Sequence, residues 1–290
     1  MVDERLSNAR GAVPLWFLPQ EQKAAFGGMI SVFERWLAFH DGASHSQLRR
    51  QANQSYRAFG DEVLAPRIQQ FVDRLLDRVD PAGFDLMSEF AFPLPAMVIA
   101  DLLGVSVDAH AELTRWTDDI AHMFGSTHVS VEHLRRTQDS TRELAEFLAS
   151  PDSASRSARQ NGLLHQLRTS ECHGHRFDEQ EVVAQAALLL FAGVASIRYL
   201  IGNSVHVIDQ CAAQARELLL DPRTAGDAVE ELLRYCTPVQ FVGRVAREDF
   251  TYSIDGDEIQ IRAGQPLMLY VASANRDHAK FPAADELILT

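Results

Sequence analysis

At 290 residues the chain lies a little beyond the length at which one core stops growing, so one large domain or two small ones are both open. Its 27 Lys and Arg against 40 Asp and Glu give a formal charge of -13 with no basic block, which argues against a nucleic-acid partner. Hydrophobic residues at 46% beside 23% charged make ordinary globular composition, and the apolar stretches read as far short of a membrane span. Met1 to Arg5 lead into no hydrophobic signal region, so a cytoplasmic location is expected. Cys172, Cys211 and Cys236 are too scattered for a disulfide framework and read as free thiols.

In chain order, Phe26, Met29, Ile30, Phe33 and Leu37 recur at helical steps and predict a helix over 21–38. Further helices are predicted over 44–56 and 61–79, the latter with Ile68, Phe71, Val72, Leu75 and Leu76 as its apolar stripe. Phe92-Pro93-Leu94-Pro95 opens a helix that runs through 96–103, where Gly104 is placed to end it. Helices over 109–124 and 131–148 follow, and the polar stretch 150–162 reads as an exposed connection. Asp178 with Glu181 makes a capping box, after which 179–209 contains no proline and can form one helix of roughly 46 Å. Its middle, 186–195, is apolar on nearly all sides, as in a helix at the centre of a large α domain. A helix over 226–235 ends before Pro238, and the period then changes to two. Phe250, Tyr252 and Ile254 alternate, as do Ile259 with Ile261 and Leu267, Leu269 with Val271, separated by turns at Asp255-Gly256 and Ala263-Gly264.

Four local features invite chemistry. Glu231 and Arg234 place acid and base three apart on one helix face, as a surface pair also would. Gly193 sits inside a buried helix at a cost of about 1 kcal/mol against alanine, so it needs a reason, either close helix packing or the approach of another group. His45 and Arg49, one turn apart, suit an anion or a solvated face equally. Cys172-His173-Gly174-His175 offers too few ligands at too irregular a spacing for a metal, and no metal site is expected.

Taken in their order, these features resemble the bacterial cytochrome P450 family over most of the chain. His45 and Arg49 look like the helix that gives that family two haem-propionate ligands, and Arg244 falls where the family has a further one. The stretch 92–105 is similar to its Pro-Leu-Pro helix start, 188–203 to its long central helix, Glu231 and Arg234 to its structural Glu-x-x-Arg motif, and Ala274-Asn275-Arg276-Asp277 with Phe281-Pro282 to the segment before its haem loop. The resemblance implies a mainly α fold with a small mixed β-sheet near the C-terminal end. It reads as one truncated domain over 1–290, helical over 1–240 and β-rich over 245–275.

Two departures shape the functional expectation. The family holds iron through a cysteine in a loop beyond the Asn-Arg-Asp segment, whereas this sequence ends at Thr290, so haem is expected to be absent. Where the central helix should carry an acid and two threonines it has Ala195, Ser196 and Ile197. The expectation is therefore a haem-free protein of bacterial natural-product biosynthesis that binds a hydrophobic small molecule and catalyses a cyclisation, isomerisation, dehydration or hydrolysis. Alternatives are an accessory partner of a biosynthetic enzyme such as a glycosyltransferase, and a fragment of a haem-thiolate monooxygenase. Ser196 is the catalytic candidate; His45, Arg49 and Arg244 are the anion-binding candidates at the vacated propionate positions. Met123, Phe124, Leu189, Ala192, Gly193, Ala195, Phe241 and Val242 are expected to line the pocket. Neither nucleic acid nor membrane is expected as a partner.

Overall fold

Local punctuation sets most element boundaries in the computed structural model, which describes residues 3–11, 15, 18–126, 129–150, 162–210, 224–254 and 256–289. The connection 151–161, Cys211 and Asp255 lie outside the described residues. A short strand β1 (Leu6–Ser7) precedes helices α1 (Gln20–Ala24) and α2 (Gly27–Phe33), so the single helix expected over 21–38 is divided. The break comes just before Gly27 and Gly28, each of which costs a helix about 1 kcal/mol against alanine, and a 3-10 turn at Leu37–Phe39 replaces the last predicted turn.

Helices α3 (Gly42–Tyr56), α4 (Asp61–Leu76), α5 (Pro93–Leu103), α6 (His110–Gly125) and α7 (Val131–Ala149) follow where the periodicity predicts them. Pro93 opens α5, where a missing N–H costs nothing, and Gly104 ends it in the left-handed conformation at φ 81°. After α8 (Leu163–Thr169), the long helix α9 (Glu179–Gln210) is unbroken. Its capping box is formed: the Glu181 N–H donates to Asp178 Oδ1 at 2.8 Å and the Asp178 N–H to Glu181 Oε2 at 2.9 Å. Helix α10 (Ala225–Tyr235) precedes the strands.

The main core gathers where α5, α6, α7 and α9 meet, with Ala100, Leu113, Ile120, Leu134, Leu144 and Leu190 wholly buried. Each such leucine or isoleucine contributes about 1.5–3 kcal/mol, which is why α9 runs through the interior. By length and composition α9 alone among the described helices could cross a membrane, contrary to the expectation that every apolar stretch is too short. Half of its most apolar window is buried inside the protein, as befits a core helix.

The sheet expected to be mixed is antiparallel in every described pairing. Strand β2 (Phe241–Ala246) takes β1 on one edge and β5 (Pro266–Tyr270) on the other, with Phe241 opposite Tyr270 and Leu6 opposite Ala246. Strands β3 (Phe250–Ile254) and β4 (Asp257–Ile261) form a separate hairpin, turned at Gly256 with φ 90°. That hairpin reverses the chain between β2 and β5, so the two strands run in opposite directions. A last short helix, α11 (Val271–Ala274), leads into the C-terminal segment.

Candidate functional site

Helix α9 presents two different faces, and the site follows from both. Val183, Ala187, Leu190 and Val194 step along its buried side toward α5 and α6. Gly193, expected to line a pocket, permits close helix packing, because a Cβ there would lie 3.0 Å from Ile99 Cδ1 of α5. The next position of the buried stripe is a charge. The Arg198 side chain is only 4% exposed and forms an ion pair with Asp118 of α6. One of its nitrogens lies 3.1 Å from the Tyr199 hydroxyl, and the guanidinium carbon is 4.8 Å from both the Phe92 and Tyr199 ring centres. Burial works against the cation, but Asp118 and then Tyr199 outweigh it and raise the arginine pKa. Arg198, Tyr199, Asp118, His122 and Arg136 border an open cleft of about 500 Å³. Sequence reasoning missed this arginine, although a charge four residues after Val194 on an apolar stripe was the available signal.

The opposite face of α9 is uncovered. Ala192 is exposed and Ser196 partly so, while Tyr199 is 45% exposed, an unusual value for an aromatic group on a core helix. Ser196 Oγ donates to the Ala192 carbonyl at 2.5 Å, so in this state its hydroxyl is spent on the helix backbone. Beside Ala192, Phe191 stacks on Trp36 at 5.1 Å, and Phe124 lies 5.7 Å from Phe191 and 5.2 Å from Phe33. Trp36 has no exposed surface and its indole N–H is buried without a partner. Of the remaining pocket candidates, Met123 is buried in the core, and Leu189 and Ala195 are partly buried on α9. Phe241 and Val242 are also partly buried, with Phe241 6.0 Å from Tyr270 on the sheet. None of the eight candidates borders the Arg198 cleft.

The basic candidates lie on two separate elements. His45 is partly buried and Arg49 exposed on α3, and Arg244 on β2 donates to the Gly243 carbonyl at 2.7 Å. Among the described residues none of the three forms an ion pair. Asp41 pins α3 to the sheet. It accepts from Ser7 Oγ at 2.5 Å and the Asn8 N–H at 2.9 Å, and pairs with Arg247 at 2.9 Å. Burial alone would raise its pKa, but these donors prevail and hold it below the usual carboxylate value.

Glu231 and Arg234 form a bidentate pair, both contacts at 2.7 Å, and Arg234 spends its other N–H groups on the carbonyls of Asn275, Ala284 and Glu286 at 2.7–2.9 Å. All five guanidinium donors are thereby used, tying α10 to the C-terminal segment. Elsewhere, the Cys172–His175 loop closes on itself through backbone bonds of 2.9 and 3.0 Å, and among the described residues no three His, Cys, Asp or Glu groups gather as metal ligands.

No protein-family model matches the chain. Individual proteins do. The vitamin D(3) 25-hydroxylase of Pseudonocardia autotrophica is 33% identical over 287 residues, covering 94% of this chain and 65% of that protein. The putative cytochrome P450 YjiB of Bacillus subtilis is 30% identical, covering 91% of this chain and 64% of that protein. Among solved structures, P450BioI in complex with an acyl carrier protein bearing hexadec-9Z-enoic acid superposes with a TM-score of 0.82 at 27% identity, over 99% of this chain and 72% of that one. The ligand-free cytochrome P450 TbtJ1 gives 0.77 at 29% identity, over 98% and 73%.

These relatives correct the expectation that haem is absent, because cytochromes P450 are haem proteins. That expectation leaned on the ending at Thr290, and a sequence spanning about 65% of a relative's length carries no information on the cofactor in its last residue. The residues present fit such a group. An exposed apolar face on a core helix accepts a flat macrocycle, and cations without carboxylate partners suit its acidic side chains. On the shared sequence and the superposition along nearly its whole length, this chain belongs to the bacterial cytochrome P450 family.

Proposed function

We propose that the chain forms the helical and sheet portion of a haem-dependent monooxygenase that oxidises a hydrophobic small molecule in the cytoplasm as part of bacterial secondary metabolism. The observation that carries this reading is the uncovered side of α9 at Ala192, Ser196 and Tyr199, which begins beside Phe191 of the aromatic cluster that also holds Trp36 and Phe124. Relatives in oxidative metabolism support it, namely the vitamin D(3) 25-hydroxylase and the polyketide-biosynthesis cytochrome P450 PksS of Bacillus subtilis, 29% identical over 239 residues. Substrate delivery on an acyl carrier protein, as in the P450BioI complex, is the partner interaction we attach to the reading.

Within it, haem supplies the oxygen activation when bound. His45, Arg49 and Arg244 hold its carboxylates through charge-assisted hydrogen bonds. Phe124 and Phe191, the partly exposed rings of the aromatic cluster, give the substrate an apolar wall and keep water from it. Ser196 offers a hydroxyl to the ligand if it leaves the Ala192 carbonyl, but Ala195 beside it holds no proton. A proton at this helix therefore has to pass by way of the Ser196 hydroxyl, water or the substrate.

The test is uptake of haem by the purified chain, followed by visible absorption. One equivalent is expected to bind, with the band perturbed by hexadec-9-enoic acid or a hydrophobic secosteroid and the perturbation weakened in Phe191→Ala. A chain that keeps no haem absorption once unbound haem is removed by gel filtration overturns the proposal.

A further inference from the structure

Two guanidinium groups converge on Gly243 of β2. Arg244 Nη1 donates to the Gly243 carbonyl at 2.7 Å. Arg10 packs so closely over the same residue that a Cβ on Gly243 would lie 3.2 Å from its Cδ and 3.2 Å from its Nη1. The Arg10 guanidinium carbon also sits 4.9 Å over the Phe39 ring, next to the Trp36 cluster. Like charges held this close repel, and burial removes the water that would screen them. Desolvation, and then the charge of Arg244, pull the Arg10 pKa down.

The usual remedy is a carboxylate. None pairs with either side chain among the described residues, and Arg10 Nε is buried with no hydrogen-bond partner. Asp41, the acid tied to this N-terminal segment, is already shared among Ser7, Asn8 and Arg247. Two cations with an unused buried donor, beside an apolar cluster, describe a site for a dianion whose body is apolar.

We infer that Arg10 joins Arg244 in receiving a carboxylate of haem, adding a contact from the N-terminal segment, outside the motifs that carry the resemblance. The ligand's identity rests on the proposed function; the two-cation site rests on the geometry alone. Arg10 is a binding residue in this account, and Gly243 is the residue whose small size admits it.

The experiment compares haem with its dimethyl ester, which has the same ring and metal but no carboxylate charge. Affinities are measured by absorbance titration of the wild type, Arg10→Gln and Gly243→Ala, with far-UV circular dichroism as the check on folding. Arg10→Gln is expected to bind haem about tenfold more weakly, the size of one lost charge-assisted bond, and the ester as the wild type does. Gly243→Ala keeps the charge but displaces Arg10 and is expected to act in the same direction. Unchanged haem affinity in Arg10→Gln, or an equal fall for haem and ester, overturns the inference. Should the wild type bind neither porphyrin, the haem reading itself fails, and succinate then decides the site. Thermal stabilisation of the wild type by succinate, lost in Arg10→Gln, upholds a dicarboxylate site, and no stabilisation removes it.

Discussion

Replacing Arg234 by lysine tests whether geometry or charge holds the C-terminal segment to α10. Arginine here makes two bonds to Glu231 and three to backbone carbonyls, all between 2.7 and 2.9 Å. A lysine ammonium has three donors at a single point, so it keeps the charge yet cannot span the three carbonyls and the carboxylate together. At least two acceptors lose their partner. The Arg234 and Glu231 side chains are only 9% and 16% exposed, so the loss is poorly repaired, although the Glu286 carbonyl can regain water. At about 1–1.5 kcal/mol for each bond lost, Arg234→Lys is expected to cost about 2–3 kcal/mol and to lower Tm by roughly 4–6 °C for a chain of this size. Urea unfolding followed by circular dichroism reads the free energy, and limited proteolysis reads whether residues 275–289 come loose first. A Lys variant within about 0.5 kcal/mol of the wild type would refute the reasoning, since charge alone would then suffice.

Other perturbations follow from the same contacts. Gly193→Ala is expected to change stability by less than about 1 kcal/mol, because the helix gains what the 3.0 Å contact with Ile99 costs; combined with Ile99→Val, which removes that carbon, it should be more stable than the sum of the single variants, as a double-mutant cycle will show. The Tyr56 phenol is pushed up to about 12 by burial, from 10 in the unfolded chain, so its share of stability is intact below pH 10 and lost as pH rises through 12; alkaline unfolding curves of Tyr56→Phe should lack that loss. Asp41 has a lowered folded pKa, so its share is present above the unfolded value near 4 and lost as pH falls through the lower folded value; the stability difference between pH 7 and pH 3 should shrink in Asp41→Asn. Arg198→Met, which fills the same stripe without charge, is expected to leave the fold intact or stabilise it by about 1 kcal/mol or more, whereas Asp118→Ala strands a buried cation and should cost about 3 kcal/mol by urea unfolding.

Sequence alone determined whatever depends on neighbours along the chain. The capping box at Asp178, the proline start and glycine stop of α5, the unbroken length of α9 and the Glu231–Arg234 pair all read directly, because hydrogen bonding and periodicity over three or four residues decide them. The break between α1 and α2 did not read, since two glycines inside a strong apolar stripe left the outcome to packing. Strand β1 is two residues long, too short for any period to show, and exists only because β2 offers it an edge. Tertiary structure likewise decided that Gly193 packs against Ile99, that Arg198 lies on the buried side of α9, and that Arg10 meets Arg244 across more than two hundred residues. Burial and the pairing of charge are settled by what arrives from elsewhere in the chain, and no local pattern carries that information.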